Sequence, residues 1–220
     1  MSEKKVRFSL LEKYYQQYLR DEISANFIQS VSEHYSLATL ERVYHSNDRT
    51  GRRAAILALG YLGDFSLNET MGHALVDSDR GVRLLADHGI REIWPRQGSP
   101  AEQEGVRELY RLNDHDYFED AIDTANLLIR GNPSLAEAWN QRAIAYCALG
   151  DFENAIEDCK ETLNCNRFHF PAAMGLGHCC LQLEDLQSAL EGFRLALKIN
   201  PELDGVRKHI RYLERALDES

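Results

Sequence analysis

The chain has 220 residues, 44% hydrophobic and 27% charged, the balance of a globular protein able to build a core. Its formal net charge of −10 argues against a broad nucleic-acid surface or an anionic-membrane surface, and no apolar run approaches the roughly 20 residues that cross a bilayer. Five cysteines, an odd number gathered in the C-terminal half, do not read as a disulfide framework, and the opening Met1 to Lys5 lacks the apolar region of a secretory signal; both predict a cytoplasmic protein.

Residues 1–7 are polar. Phe8, Leu11, Tyr15, Tyr18 and Leu19 then recur at helical spacing to about Arg20, and Phe27, Ile28, Val31 and Tyr35 form a second apolar face. Two packed helices are predicted. Their polar faces carry too few cations for an amphipathic membrane anchor.

Between residues 37 and 94 the chain repeats at an offset of 31: Asp48, Arg49, Arg52, Arg53 and Ala55 lie over Asp79, Arg80, Arg83, Leu84 and Ala86, and Leu59 lies over Ile90. The acidic turn followed by a helix that opens with arginine and small apolar residues resembles the short HEAT-like repeat. Leu37 to His45 and Leu67 to Asp77 supply the first helices of two hairpins. Each aspartate can cap the helix that follows it or pair with an arginine one turn in, so Arg52 and Arg83 read as structural residues.

The run from Trp94 to Pro100 breaks the pattern, since Pro95 forbids a continuing helix and Gly98 relaxes the backbone. Ser99, Pro100 and Glu102 then give a helix start with a serine cap, proline at the first position and glutamate at the third.

A second period, of 34, organises the rest. It aligns Ala121, Ala155 and Ala189, then Asn132, Asn166 and Asn200, then Asp151 with Asp185, and Ala143 with Gly177. Small residues fall where two helices must approach, and Trp139, Tyr146, Phe152 and Phe193 fill the space between turns. Gly150 suits a left-handed helix end, Asp151 a cap, and Asn200-Pro201 a stop. These residues resemble the tetratricopeptide repeat, a helix, a tight turn and a second helix. Glu102 to Pro133 reads as a degenerate first unit, with Gly105 in place of a large residue. In the middle unit Arg167 replaces the closing proline, which predicts an irregular turn before Pro171. Val206, Ile210, Leu213 and Leu217 make the apolar stripe of a terminal cap helix.

The predicted fold is therefore all-α: an α-α superhelix, a right-handed helical-repeat solenoid of HEAT-like and tetratricopeptide-like hairpins. Its segments are an N-terminal helical pair (1–36), HEAT-like repeats (37–98), about three tetratricopeptide-like repeats (99–203) and a capping helix (204–220). The short linker predicts that the two repeat types pack as one superhelix.

Chemistry-bearing motifs are few. The nearest cysteine spacings, Cys179–Cys180 and Cys159–Cys165, do not fit a zinc site, and Cys159 and Cys180 fall on packed repeat positions. Asp114, His115 and Asp116 sit at a turn, and His169 and His178 lack an i, i+4 ligand partner. No phosphate loop, nucleophile elbow or metalloprotease motif occurs, so neither a catalytic residue, a metal nor a cofactor is assigned.

What remains is the concave face that stacked first helices make. By resemblance to tetratricopeptide proteins, Val106, Tyr110 and Asn113, then Asn140, Ile144 and Cys147, then Met174, His178 and Leu181 line that groove. The candidate peptide-binding residues are Tyr110, Asn113, Asn140, Ile144, Met174, His178 and Leu181, with Lys208 and Arg211 adding positive charge at one end. Such a mixed apolar and amide lining suits an extended or helical peptide. Members of the family also clamp a partner's C-terminal carboxylate with cationic and amide residues. The corresponding positions here hold Gln141, Pro171 and Gly175, so no such clamp is expected. The resemblance implies a non-catalytic adaptor or assembly scaffold that binds a protein or peptide partner, neither nucleic acid nor membrane, with self-association through a repeat end left open. The alternative is an enzyme accessory subunit or a HEAT-like lyase-type protein.

Overall fold

A computed structural model describes residues 9–46 and 48–219, so Phe8 of the first stripe lies outside the described residues. The described residues form α-helices joined by short turns and contain no strand. Tertiary contacts divide the chain between Ile93 and Trp94 into two units.

In the first unit, α1 (Leu10–Asp21) opens with a capping box between Ser9 and Glu12 and packs on α2 (Ser24–Ser32). Leu11, Tyr15, Phe27 and Val31 are buried, but Leu19 is 52% exposed. Leu19 follows Tyr18 directly and so points about 100° away from the buried face. α3 (Leu37–Ser46) and α4 (Arg49–Leu62) form one hairpin; α5 (Asn68–Ala74) and α6 (Arg80–Ile93) form the next. Both helix starts repeat at the 31-residue offset. The second hairpin's first helix is only 7 residues long, against 10 for α3, because it starts at the equivalent position but gives way to a turn after Ala74.

The arginines act between hairpins as well as within them. The Asp48 carboxylate caps α4 by accepting from the N–H groups of Thr50 and Gly51 (2.9 and 3.0 Å). Arg52 instead donates from two nitrogens to Asp77 (3.0 Å each), and Arg53 does the same to Asp79 (2.6 and 2.9 Å). Arg83 donates to the Asp77 carbonyl at 2.9 Å. All three bind the acidic turn between α5 and α6, where the Arg53 guanidinium holds the Asp79 carboxyl below its ordinary range. α4 and α6 touch backbone to backbone: a Cβ on Gly60 would lie 2.7 Å from the Cα of Gly89.

In the second unit a 3-10 turn, Trp94–Arg96, leads into α7 (Pro100–Asp114) and α8 (Phe118–Gly131). Then follow α9 (Ala136–Leu149), α10 (Phe152–Cys165), α11 (Phe170–Gln182), α12 (Leu186–Ile199) and the cap helix α13 (Asp204–Asp218). α8, α10 and α12 start 34 residues apart, and Ala121, Ala155 and Ala189 are each fully buried at the crossings. α11 and α12 approach closely, since a Cβ on Gly192 would lie 2.7 Å from the Gly177 nitrogen. The Ser99–Glu102 capping box forms, and Asp151 and Asp185 cap α10 and α12.

The turn after α10 is regular, contrary to the expectation drawn from Arg167. Asn132, Asn166 and Asn200 have nearly the same backbone (φ −145, −142 and −129°). In each, the side-chain oxygen accepts the N–H two residues on, from Ser134, Phe168 and Glu202 (3.2, 3.1 and 3.0 Å). The asparagine builds this turn and proline is dispensable, because the side chain supplies the hydrogen bond that fixes the extended backbone.

Candidate functional site

α9 and α11 are the first helices of consecutive hairpins, and a cavity of about 370 Å³ opens between them. Asn140, Ala143, Ile144, Cys147 and Ala148 line it from α9, Pro171, Gly175, His178 and Cys179 from α11, and Cys159 from α10 below. The helical spacing explains the set: 140, 143, 144, 147 and 148 are one face of α9, and 171, 175 and 178 one face of α11. Small residues leave the space. No Lys, Arg, Asp or Glu lines it. Burial, then the neighbouring His209, lower the pKa of His178, which favours its neutral ring at pH 7. Burial and the adjacent Cys147 push the Cys179 thiol up to about 12, and Cys159 is pushed up as well. The thiols of Cys159 and Cys179 are therefore protonated and behave as apolar surface.

A buried polar network holds α9 and α11 at this spacing. Glu137 and His169 are each 1% exposed, and His169 Nε2 lies 3.0 Å from Glu137 Oε1. His169 Nδ1 accepts the Ala172 N–H (3.1 Å) as the cap of α11, so its proton sits on Nε2 and is donated to the carboxylate. The Tyr110 hydroxyl donates to Glu137 Oε2 (2.9 Å), and Gln141 donates at 3.4 Å. Burial works to raise the Glu137 pKa, and these hydrogen bonds more than offset it, holding the carboxyl below its usual range. Trp94 stacks on His169 with ring centres 4.3 Å apart.

The residues placed on the groove line by sequence take different positions. Asn140, Ile144 and His178 meet at the cavity; Ile144 is 44% exposed at its mouth, and Asn140 is 8% exposed. Tyr110 bonds to Glu137, Asn113 donates to the Gln141 carbonyl and side chain (2.9 Å each), and Val106 is fully buried. Met174 and Leu181 pack against the core formed by α12 and α13. Lys208 and Arg211 are exposed on α13. The Glu137–His169 pair had no local sequence signal, since its members are 32 residues apart. Asp114, His115 and Asp116 lie exposed at the turn after α7, and Cys159 and Cys180 are buried. No group of three or more His, Cys, Asp or Glu side chains placed to hold a metal occurs among the described residues.

Stacked helical hairpins with a groove between their first helices define a helical-repeat protein. Residues 136–169 and 170–203 each match the family profile described as tetratricopeptide repeat, so the chain carries tetratricopeptide repeats. Among curated proteins it is similar to the Hsp70-Hsp90 organizing protein of Triticum aestivum, 24% identical over 130 residues, 57% of this chain and 22% of that protein. It is also similar to the protein SGT1 homolog of Oryza sativa subsp. japonica, 29% identical over 80 residues, 36% of this chain and 22% of that one. The match thus spans about a fifth of these relatives' length. Among solved structures, the first TPR of Spaghetti (RPAP3) bound to HSP90 peptide SRMEEVD superposes with a TM-score of 0.52 at 21% identity, over 55% of this chain and 96% of that one. The Arabidopsis OM64 TPR domain gives 0.50 at 20% identity, over 53% and 96%. At these identities the structural likeness carries the fold.

Proposed function

We propose that this chain is a non-catalytic protein–protein interaction module of the cytoplasm, an adaptor that binds a peptide segment of a partner between α9 and α11, with a HEAT-like N-terminal region. The observation that carries this reading is the uncharged cavity of about 370 Å³ on the first-helix face of two matched tetratricopeptide repeats. A cavity of this size takes one or two apolar side chains of a bound segment, with His178 at its polar edge for the segment's backbone. The names of its relatives, an organizing protein and a repeat domain bound to a peptide, support the same class of role.

The lining argues for a neutral, apolar segment rather than an acidic tail. Gln141 is 3% exposed and engaged with Glu137 and Asn113, and Pro171 and Gly175 offer no side-chain donor. The test is fluorescence anisotropy with an apolar peptide library and with SRMEEVD, on wild type and Ile144→Glu. Ile144 is exposed, so the variant keeps its fold while placing a charge in the cavity mouth. The proposal predicts apolar binders weakened roughly tenfold or more by Ile144→Glu. Tight SRMEEVD binding that is lost on amidation of its C-terminus, or apolar binding indifferent to Ile144→Glu, would overturn it.

A further inference from the structure

A second cavity, of about 350 Å³, lies on the other side of α11, between α10 and α12. Ile156, Leu176, Cys180 and Leu195 floor it, and Asp185, Glu191 and Lys160 stand on its rim. The repeat register says why it is open. Shifted back by 34 residues, the same location lies between α8, α9 and α10, where Leu176 becomes Arg142, Cys180 becomes Tyr146 and Gly192 becomes Asp158. There the space is filled by the chain itself. Arg142 donates from Nε and Nη2 to Asp158 (2.7 Å each) and from Nη1 to Asn126, with its guanidinium carbon 4.9 Å from the centre of Trp139 and 5.7 Å from that of Tyr146.

In the next repeat the phenol, the guanidinium and the carboxylate are all absent. Residue 192 cannot restore the acid, because the close approach of α12 to Gly177 leaves no room for a Cβ. What remains is an open space at the place where the preceding repeat holds a phenol ring and a guanidinium. The rim is acidic: Asp185 and Glu191 against Lys160, which is itself paired with Glu157 at 2.7 Å. The whole chain, at −10, attracts cations at longer range.

We propose that this cavity docks a basic peptide segment that presents an aromatic side chain, the ring entering over Cys180 and its flanking Lys or Arg residues meeting Glu191 and Asp185. The bound segment supplies what Tyr146 and Arg142 supply one repeat earlier. This site is separate from the α9–α11 groove and does not depend on that reading.

The test is fluorescence anisotropy with labelled GKRYRKG, compared with GKRARKG and GEEYEEG, at moderate salt. Wild type is expected to bind GKRYRKG roughly tenfold more tightly than either control. Cys180→Tyr, which restores the residue of the filled repeat, should abolish that preference, and Glu191→Lys, an exposed rim change, should weaken GKRYRKG severalfold. Ile144→Glu in the other groove should leave it unchanged. Circular dichroism shows whether Cys180→Tyr folds; if it does not, Glu191→Lys and the GKRARKG comparison decide. No binding of GKRYRKG, equal binding of GKRARKG, or binding indifferent to Glu191→Lys would overturn the proposal.

Discussion

Replacing Glu137 with leucine removes the acceptor at the centre of the buried network. It leaves the His169 Nε2–H, 1% exposed as a side chain, with no acceptor, and releases Tyr110 and Gln141 as well. An orphaned buried donor costs about 1–3 kcal/mol, and the loss of the acceptor for Tyr110 and Gln141 as well places the total near the upper end of that range. Glu137→Gln keeps an oxygen for His169 and an amide that can engage the Tyr110 hydroxyl, so its cost should be about 1 kcal/mol. The assay is built into the chain, because its two tryptophans, Trp94 and Trp139, both lie in the second unit. Tryptophan fluorescence in urea therefore follows that unit alone, even where the two units unfold separately. Thermal midpoints should fall by roughly 10 °C for Glu137→Leu and by a few degrees for Glu137→Gln. Equal midpoints for the two variants would refute the reasoning, since the acceptor would then contribute nothing that packing does not.

Gly60→Ala should cost about 1–3 kcal/mol, because its Cβ meets the Gly89 backbone at 2.7 Å, whereas Gly131→Ala, with nothing within 4 Å, should be neutral or stabilising; urea unfolding followed by circular dichroism compares them. Asp116, Gly150 and Glu184 occupy one left-handed position in three repeats (φ 62, 81 and 60°), so Glu184→Gly should stabilise by about 0.5–1 kcal/mol and Gly150→Ala should destabilise by about 1 kcal/mol. Glu137 and Asp79 have folded pKa values below their unfolded ones, so their contribution is present above the unfolded carboxylate pKa of about 4 and is lost as pH falls through the depressed folded values. Acid titration should show both units losing stability below about pH 4, with the fluorescence-detected part of that loss reduced in Glu137→Gln.

Much of the architecture was legible because a helical hairpin is written locally. The Ser99–Glu102 box and the Asp151 and Asp185 caps are set by residues within a turn of one another, and Ala121, Ala155 and Ala189 mark the 34-residue period of the hairpins. The irregular turn expected at Arg167 shows the limit of reading proline as the signal: Asn166 makes the same turn by its own side chain. The groove line was legible only in part. Asn140, Ile144 and His178 reach the cavity, while Tyr110 and Asn113 are taken up by hydrogen bonds to α9.

The repeat periods of 31 and 34 residues, the helix starts capped by Ser99, Asp151 and Asp185, and most inward stripes could be read from the chain alone, since period and capping are properties of neighbouring residues; the exposed Leu19 and the early end of α5 at Ala74 could not. Only the tertiary structure decided that Glu137 meets His169, that Gly60 meets Gly89, and that one inter-repeat space is filled by Arg142 while the next stands open. These depend on how closely two helices approach, a distance set jointly by side chains far apart in the chain.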